Sequence, residues 1–311
     1  MNKKYKLSTS ILTVIVIIFF SIKPSTEIAK AYSMYQDNNN IHLVLDSQLY
    51  KEMPQNFRKS SNLSNLQKIK TLNLRGIDKL NISGSNQFSE QNLPLLIKNI
   101  DTTFPITIID TRQESHGFIN GLPVSFANAT NSSNANLSKE EVLLDEAKRL
   151  TEIKLNTPVS FYNHPNITIT PTKVMNENQL TGSLSLSYIR IPVTDGKTPS
   201  NDMVDYFINV VKSAPKDMWF HFHCKEGIGR TTTFMIMYDM MKNSKEATAD
   251  EIIERQIALA NFDKKKDIAF YSDERIKLLK CFHKYCTEQD NAFNIKWSDW
   301  KKGFNCNSTI L

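Results

Sequence analysis

The chain has 311 residues, of which 40% are apolar and 23% are charged. These are the proportions of an ordinary globular protein, and they exclude a wholly disordered chain, a collagen-like repeat and a polytopic membrane protein. The formal net charge is +6, but the first 31 residues contain five Lys and one Glu. Without them, the 38 basic and 32 acidic side chains become 33 and 31. Such a nearly neutral protein is not a general nucleic-acid binder.

The N-terminus has the pattern of a signal peptide. Three lysines near the start precede an apolar run over residues 11–22, which is too short to span a bilayer comfortably. Residues 29–31 read Ala-Lys-Ala, a typical cleavage pattern. We therefore predict a signal peptide over 1–31 and a secreted domain over 32–311 without stable membrane association. In the alternative, the segment is retained and the protein is associated with the cell envelope.

The first half of the chain contains patterns of both strands and helices. The β-branched run Phe104–Asp110 predicts a buried strand. Ser138 and Glu141 have the spacing of a capping box, which predicts a helix that extends to about Lys154. Residues 157–172 alternate between apolar and polar side chains with Pro and Asn breaks, as short strands do.

The second half of the chain alternates strands and helices more regularly. Residues 187–193 and 218–223 have strand patterns, whereas 231–241 and 249–261 have helical patterns. A further helix is expected to begin at Thr198, with Thr198 as its N-cap and a proline in the first turn. This alternation predicts an α/β domain built on a central sheet.

The four cysteines are too few for a disulfide scaffold. Cys281 and Cys286 lie in a helical pattern, and their separation along a helix is too large for a bond between them. Either could pair with Cys306, or all could be buried free thiols. The spacing of His and Cys predicts no zinc site.

The most informative segment is residues 223–231, which leaves a predicted strand and opens a predicted helix. Its two glycines allow the backbone to curl so that several amide N–H groups converge on one anion. The helix N-terminus adds its positive end to the same hollow. The residues expected to bind phosphate in this loop are Lys225, Glu226, Gly227, Ile228 and Gly229.

Three side chains of this loop carry the predicted chemistry. The positive field of the loop favours the thiolate of Cys224, which makes it a nucleophile toward phosphorus. Arg230, five residues beyond it, offers a planar fork to two phosphate oxygens. Thr231 can donate a hydrogen bond to the sulfur when it leaves. The competing interpretation is a buried cysteine in a Gly-containing turn, which does not explain the neighbouring His, Arg and Thr.

Asp195 is the candidate general acid that protonates the leaving oxygen. It lies between a predicted strand and helix, 29 residues before Cys224, where a loop can place it over the bound phosphate. The alternative is that Asp195 only caps the following helix.

These sequence features resemble those of a known protein superfamily. The Cys-x5-Arg-Thr loop resembles that of the protein tyrosine phosphatase (PTP) superfamily. The wider sequence is similar to the bacterial PTP-like phytases, which are cysteine-dependent inositol polyphosphate phosphatases. The segments that carry the resemblance are residues 54–58, 84–89, 110–118, 219–234 and 297–300. Together they cover nearly all of the chain after the predicted signal peptide.

The resemblance implies an α/β PTP fold with a central mixed sheet flanked by helices. It also implies a small partial β-barrel, which we expect within residues 118–190. Catalysis would need no metal and no cofactor, with Cys224 as nucleophile, Arg230 as phosphate-binding residue and Asp195 as general acid. The positions that match substrate-contacting regions of the family are Arg58, Asp110, Lys264, Lys265 and Lys266.

Two positions depart from the family pattern and affect the choice of substrate. Gly196 stands where relatives often have His, and Lys225 stands where they often have an acidic residue. A Lys in this second position also occurs in phosphoinositide phosphatases. The lysines at 264–266 are either a rim for a highly charged substrate or a solvated loop.

The function expected from the sequence is hydrolysis of inositol polyphosphates such as phytate through a phosphocysteine intermediate. The alternatives are a protein tyrosine, dual-specificity or phosphoinositide phosphatase, and a non-catalytic phosphate-binding module. The intact set of Cys224, Arg230 and Asp195 argues against the last of these.

Overall fold

The protein was analysed as a computed structural model, which describes residues 41–48, 51–64, 66–289 and 292–303. The predicted signal peptide and Cys306 lie outside these ranges. Within them, none of the helices combines the length and apolar character that crossing a bilayer requires.

The described residues form eleven strands and nine α-helices. The strands are β1 (His42–Leu45), β2 (Arg58–Lys59), β3 (Ile82–Ser85), β4 (Ile106–Arg112), β5 (His116–Ile119), β6 (Leu122–Ala127), β7 (Val159–Phe161), β8 (His164–Ile169), β9 (Val174–Met175), β10 (Ser187–Val193) and β11 (Trp219–His223). The helices are α1 (Leu93–Ile100), α2 (Lys139–Glu152), α3 (Glu177–Ser183), α4 (Asn201–Ser213), α5 (Gly229–Asn243), α6 (Ala249–Ala260), α7 (Lys264–Phe270), α8 (Asp273–Glu288) and α9 (Trp297–Gly303).

A five-stranded sheet in the order β10-β4-β11-β3-β2 forms the centre of the fold. Strands β10, β4, β11 and β3 are parallel, and β2 pairs antiparallel with β3 at one edge. The predicted mixed sheet is therefore confirmed. The strand expected at Phe104–Asp110 begins at Ile106 and continues to Arg112, and it is buried along its whole length. Burial on both faces is typical of a parallel strand covered by helices on each side.

Two apolar cores cover the two faces of this sheet. Ile109 and Phe222 belong to the larger core, which is completed by side chains of α4, α5, α6 and α8. Ile108 and Trp219 belong to the core on the other face, where α1 and α3 pack. Neighbouring residues of β4 thus point to opposite faces, as the alternation of a strand requires. Thirteen of the fifteen residues of α5 are buried, which makes it the central helix.

The β-rich addition is an antiparallel sheet in the order β1-β6-β5-β9, with β7 and β8 as a separate hairpin. Its own small core includes Leu45, Val124 and Phe161. The expected partial β-barrel within residues 118–190 is not confirmed. The addition includes β1, which precedes that range, and the range itself contains the helices α2 and α3.

Of the two helix caps predicted from the sequence, one is confirmed and the other is wrong. Ser138 and Glu141 form the expected capping box of α2. Helix α4, however, begins at Asn201 rather than at Thr198, because Ser200 is the N-cap and accepts a hydrogen bond from the Met203 amide. The Thr198 hydroxyl instead donates to Glu274, at 3.0 Å.

The cysteines differ in their state. Cys224 and Cys286 are free and buried, whereas Cys281 is disulfide-bonded. Pairing through Cys286 is therefore wrong, and so is the expectation that every cysteine is a free thiol. Burial raises the pKa of the Cys286 thiol well above its ordinary value, so this residue is a structural thiol.

Candidate active site

Three loops of the candidate site follow the carboxyl ends of adjacent parallel strands. Glu114 lies just after β4, Asp195 just after β10 and Cys224 directly after β11. Because β10, β4 and β11 are parallel neighbours, their carboxyl ends lie at one edge of the sheet. Residues distant in sequence are thereby brought together, as in other parallel α/β sheets.

The backbone of the loop after β11 curls around the Cys224 sulfur. The amide N–H of Gly227 donates a hydrogen bond to Sγ at 3.2 Å. Gly227 has a φ of +72°, and a Cβ there would lie 2.4 Å from backbone atoms of Ser85 and Asn86. Only glycine combines this left-handed conformation with so close an approach. The Gln87 amide also donates to the Lys225 carbonyl at 3.1 Å, which fixes the loop against the end of β3.

Arg58 lies beneath this loop and supports its shape. Its Nη1 atom donates to the carbonyl oxygens of Gly227 at 2.6 Å and of Asn56 at 2.9 Å. Its Nη2 atom donates to Thr232 Oγ1 at 2.7 Å. Burial lowers the pKa of Arg58 to about 10, and the neighbouring Cys224 opposes part of that effect. The buried guanidinium thus bonds to the protein on the inner side of the loop, whereas the sequence had placed Arg58 in contact with substrate.

Arg230 is held in place by Glu114. Its Nη1 and Nη2 atoms donate to the two carboxylate oxygens of Glu114 at 2.7 and 3.1 Å, and Nη1 also donates to the Val193 carbonyl at 3.0 Å. Burial alone would raise the pKa of Glu114, but Arg230 and Arg112 outweigh it and hold that pKa well below its usual range. The paired carboxylate therefore fixes the orientation of the guanidinium before any phosphate binds.

Asp195 lies beside Arg230. One of its carboxylate oxygens is 3.1 Å from Arg230 Nη2. The other accepts a hydrogen bond from Asn131 Nδ2 at 2.8 Å. The side chain is 38% exposed, so it stands at the mouth of the site while Arg230 lies at its floor. This arrangement puts the candidate acid next to the phosphate-binding residue.

A chain of ion pairs joins the two ends of the loop Cys224–Arg230, which we call the phosphate loop because the sequence predicts that it binds phosphate. Lys225 Nζ is 3.2 Å from Asp46, and Asp46 lies 2.9 Å from Arg112 Nη1. Arg112 Nε in turn donates to Glu114 at 2.9 Å, and Glu114 holds Arg230. Both cations of the loop are therefore tied, through carboxylates, to the single guanidinium of Arg112.

Asp110 lies in a second ionic cluster. It is fully buried and accepts hydrogen bonds from Arg190 at 2.6 Å and from the Tyr188 hydroxyl at 2.7 Å. The cluster extends to His223, the residue before Cys224. Its Nε2 atom is 2.6 Å from Glu177 Oε1. Burial alone would raise the pKa of Glu177, but His223 outweighs it and lowers that pKa to about 2. Asp110 thus contacts buried protein groups, whereas the sequence had placed it in contact with substrate.

One group among the described residues has donor atoms close enough to hold a metal ion. Asp110, Glu177 and His223 offer ligand atoms within 4.8 Å of one another. Asp110 already faces Arg190, and both Asp110 and Glu177 lie within 3.3 Å of His116 Nε2. A divalent ion would add positive charge beside these cations, so we interpret the group as an ionic cluster.

The remaining predicted positions differ in burial. Thr231 Oγ1 and Arg230 Nε are buried and have no hydrogen-bond partner among the described residues. Glu226 is exposed, and its carbonyl accepts a hydrogen bond from Asn56 at 2.7 Å. Ile228 and Gly229 are partly buried.

The three lysines occupy the first turn of α7. Lys264 and Lys265 are exposed, and Lys266 Nζ lies 3.4 Å from Asp263. The ring of Phe262, just before this helix, lies 5.4 Å from the Arg58 guanidinium. This contact places the start of α7 on the same side of the molecule as the phosphate loop.

Three residues of the site were missed from the sequence. Glu114 lies within the segment 110–118 that carries the family resemblance, so the motif was an available signal. Asp46 and Asn131 lie in polar stretches without a motif, and only tertiary contacts bring them to Lys225 and Asp195.

Comparison with known proteins decides the family. A family model of PTP-like phytases, described as "Inositol hexakisphosphate", matches residues 109–242. The structure of a PTP-like phytase from Bdellovibrio bacteriovorus is 31% identical, with a TM-score of 0.70, and the match covers 84% of this chain and 94% of that one.

The chain belongs to the PTP-like phytase family.

Two other proteins to which this chain is similar are longer. The tandemly repeated PTP-like phytase from Mitsuokella multacida is 32% identical, with a TM-score of 0.75, over 86% of this chain and 50% of that one. The effector protein hopD2 of Pseudomonas syringae is 28% identical over 73% of this chain and 52% of its own length. This chain thus spans about half the length of these two relatives.

The buried cluster makes a prediction for stability. Burial, Arg112 and Arg190 would lower the pKa of His116, but Asp110 and Glu146 outweigh them and raise it from 6.5 to about 9. The charged imidazole therefore stabilises the fold fully below pH 6.5, and this contribution is lost as pH rises through 9. Since one pKa unit corresponds to about 1.4 kcal/mol, His116 contributes about 3 kcal/mol to the free energy of unfolding at low pH. We expect His116→Gln to remove this slope from the free energy of unfolding, measured by urea denaturation between pH 6 and 9.5.

The wild-type protein is the control, because the two proteins should differ most at pH 6 and least at pH 9.5. An identical pH dependence in both would show that His116 is not the titrating group.

Proposed function

We propose that this protein is a phosphatase that hydrolyses inositol polyphosphates through a phosphocysteine intermediate, without a metal ion. The observation that carries the proposal is the assembly of Cys224, Arg230 and Asp195 at one edge of the sheet, with Arg230 only 3.1 Å from Asp195. Membership in the PTP-like phytase family supports the same reaction class.

In the first step, the Cys224 thiolate attacks phosphorus, so that an S–P bond forms as the bond to the substrate oxygen breaks. Arg230 and the loop amides bind the phosphoryl oxygens on which negative charge accumulates. Asp195 gives its proton to the leaving alcohol. Arg230, pre-oriented by Glu114, needs little rearrangement in this step.

In the second step, water attacks the phosphocysteine and the S–P bond breaks. Asp195, now a carboxylate, removes a proton from the water. The Thr231 hydroxyl, which has no hydrogen-bond partner among the described residues, can donate a hydrogen bond to the departing Cys224 thiolate. The products are inorganic phosphate and the free enzyme.

Charge supports an inositol polyphosphate as the substrate. A substrate with several phosphates needs cations beyond the one hollow that binds the reacting group. The exposed Lys264 and Lys265 supply such cations. In addition, a relative from Mitsuokella multacida, 30% identical over 90% of this chain and 52% of its own, has been solved with myo-inositol-(1,3,4,5)-tetrakisphosphate.

Secretion is proposed on the sequence alone. The lysine-rich start, the apolar run over 11–22 and the Ala-Lys-Ala pattern are its support. Edman sequencing of the exported protein should begin at Tyr32. A start at Met1 in exported material would contradict cleavage.

One assay separates the possible substrates. Phosphate release is measured from inositol hexakisphosphate, a phosphotyrosine peptide and a phosphoinositide, each with and without a chelator. The proposal expects the highest kcat/KM on inositol hexakisphosphate, unchanged by the chelator. Preference for the peptide or the lipid would contradict the substrate, and loss of activity with the chelator would contradict the mechanism.

Cys224→Ser should abolish turnover and keep ligand binding. A hydroxyl is a far poorer nucleophile than a thiolate, whereas the loop amides and Arg230 survive the change. Binding is measured by calorimetry with inositol hexakisphosphate, and turnover by phosphate release. Steady-state activity above that of contaminating wild type would disprove the phosphocysteine.

Asp195→Asn should slow the reaction by roughly 10²–10⁴-fold, the usual effect of losing a general acid. The first step needs a protonated acid, so the wild-type kcat should decline on the alkaline side of its pH optimum. The variant should lose much of the decline in kcat above the optimum. A pH–rate profile with the same decline would assign the acid to another residue.

Replacing Lys264, Lys265 and Lys266 with Gln should raise KM for inositol hexakisphosphate. The expected loss is about 1 kcal/mol or more for each lysine that touches phosphate, since charge-assisted bonds contribute roughly 1.5–3 kcal/mol. An aryl phosphate should be almost unaffected, because it occupies only the hollow between Cys224 and Arg230. The effect should also decrease with salt, which screens exposed charges.

A matched control removes three exposed lysines from the opposite edge of the sheet. Lys79, Lys98 and Lys216 precede β3, β4 and β11, so they lie at the amino ends of these strands. Their replacement by Gln should leave both substrates unchanged. Equal losses on both substrates in the 264–266 variant would indicate a structural role for that lysine run.

A further inference from the structure

Arg275 is a buried cation in the first turn of α8. Only 4% of the residue is exposed. The helix begins at Asp273 with Ser272 as its N-cap, so that the Arg275 amide N–H donates the capping hydrogen bond to the Ser272 hydroxyl. A helix N-terminus carries partial positive charge, which makes it an unfavourable position for a cation. Both burial and position therefore require a compensating anion near Arg275.

The described part of the chain supplies no carboxylate partner within 4.0 Å of Arg275. Its Nη1 atom donates to the Phe270 carbonyl, and the Phe270 ring lies 5.1 Å from the guanidinium carbon. The Nε atom is buried and has no hydrogen-bond partner among the described residues. Arg275 thus differs from Arg112, Arg190 and Arg230, each of which faces a carboxylate.

The guanidinium lies against the phosphate loop. A Cβ at Gly229 would be only 3.2 Å from Arg275 Nη2, so the absence of a side chain at position 229 admits the arginine. The adjacent Glu274 accepts a hydrogen bond from Thr198, which ties the first turn of α8 to the loop that carries Asp195. Burial lowers the pKa of Arg275, while Cys224, Glu274 and Asp195 oppose this effect.

The other cations of the site already have partners, so Arg275 can add positive charge for a bound phosphate. Arg230 is paired with Glu114, and Lys225 is paired with Asp46. The buried Arg58 donates to the Gly227 carbonyl of the loop. A phosphoryl dianion that enters this hollow brings negative charge that these pairs do not compensate, whereas Arg275 has no carboxylate within 4.0 Å among the described residues.

We propose that Arg275 is a second phosphate-binding arginine, whose guanidinium contacts an oxygen of the phosphoryl group held above Cys224. This inference rests on the proposed phosphatase function and adds a substrate-binding residue to it. Because the contact is to the reacting phosphate, Arg275 acts on every substrate, in contrast to the lysines of α7.

The test uses Arg275→Gln and the binding of inorganic phosphate. Affinity is measured by the protection that phosphate gives Cys224 against iodoacetate, and it should fall about 10-fold. The kcat/KM for an aryl phosphate should fall at least 10-fold. In phosphate-free buffer, the unfolding temperature should stay equal or rise, because an uncompensated buried charge has been removed. Lys277→Gln, which removes a charge from the same helix, is the matched control and should change none of these values.

Wild-type affinity for inorganic phosphate in Arg275→Gln would overturn the inference. If Arg275→Gln lowers both the phosphate affinity and the unfolding temperature, a second variant separates a lost phosphate contact from damage to the fold. This variant is Arg275→Lys, which keeps the positive charge. Partial recovery of phosphate binding then supports the contact, and no recovery overturns it. Failure of the proposed function has a different result, in which the wild-type protein itself neither hydrolyses the aryl phosphate nor is protected by phosphate.

Discussion

The ion pair between Glu114 and Arg230 is the interaction on which the site depends. A loop built to bind a dianion concentrates positive charge at the end of a buried strand, and that charge must be compensated when no substrate is present. Glu114 does this with both carboxylate oxygens and also accepts a hydrogen bond from Arg112. The same contacts orient Arg230, so charge compensation and pre-organisation for phosphate are achieved by one side chain.

The β-rich addition contributes charged side chains to the site. Asp46 follows β1 of the small sheet and pairs with Lys225 and Arg112. Glu177 begins α3, directly after β9 of the same sheet, and faces His223 beside the nucleophile. The addition therefore supplies buried carboxylates to the back of the phosphate loop. Cys224 follows a strand of the central sheet, and the β-rich addition provides counter-charges to the loop that begins there.

The sequence predicted what depends on local spacing. Cys224 and Arg230 lie within one strand–loop–helix unit, so their proximity follows from the chain itself. The residues that hold them could not be found in this way, because Asp46 and Arg275 reach the loop only through tertiary packing. Within the segment 110–118, Asp110 and Glu114 are chemically alike, and only the register of β4 assigns one to the buried cluster and the other to Arg230. Thr198 was misassigned as a cap because Ser200, two residues later, can cap equally well.

The chain of ion pairs from Lys225 to Arg230 has a consequence for the boundaries of any expressed fragment. A fragment limited to residues 109–242, the range that matches the family model, would contain Cys224, Arg230 and Asp195. It would omit Asp46, and with it the counter-charge of Lys225 and the carboxylate that Arg112 shares. It would also omit Arg58, which supports the loop from below. A fragment that keeps these contacts must therefore begin before β1, although Cys224, Arg230 and Asp195 all lie within residues 109–242.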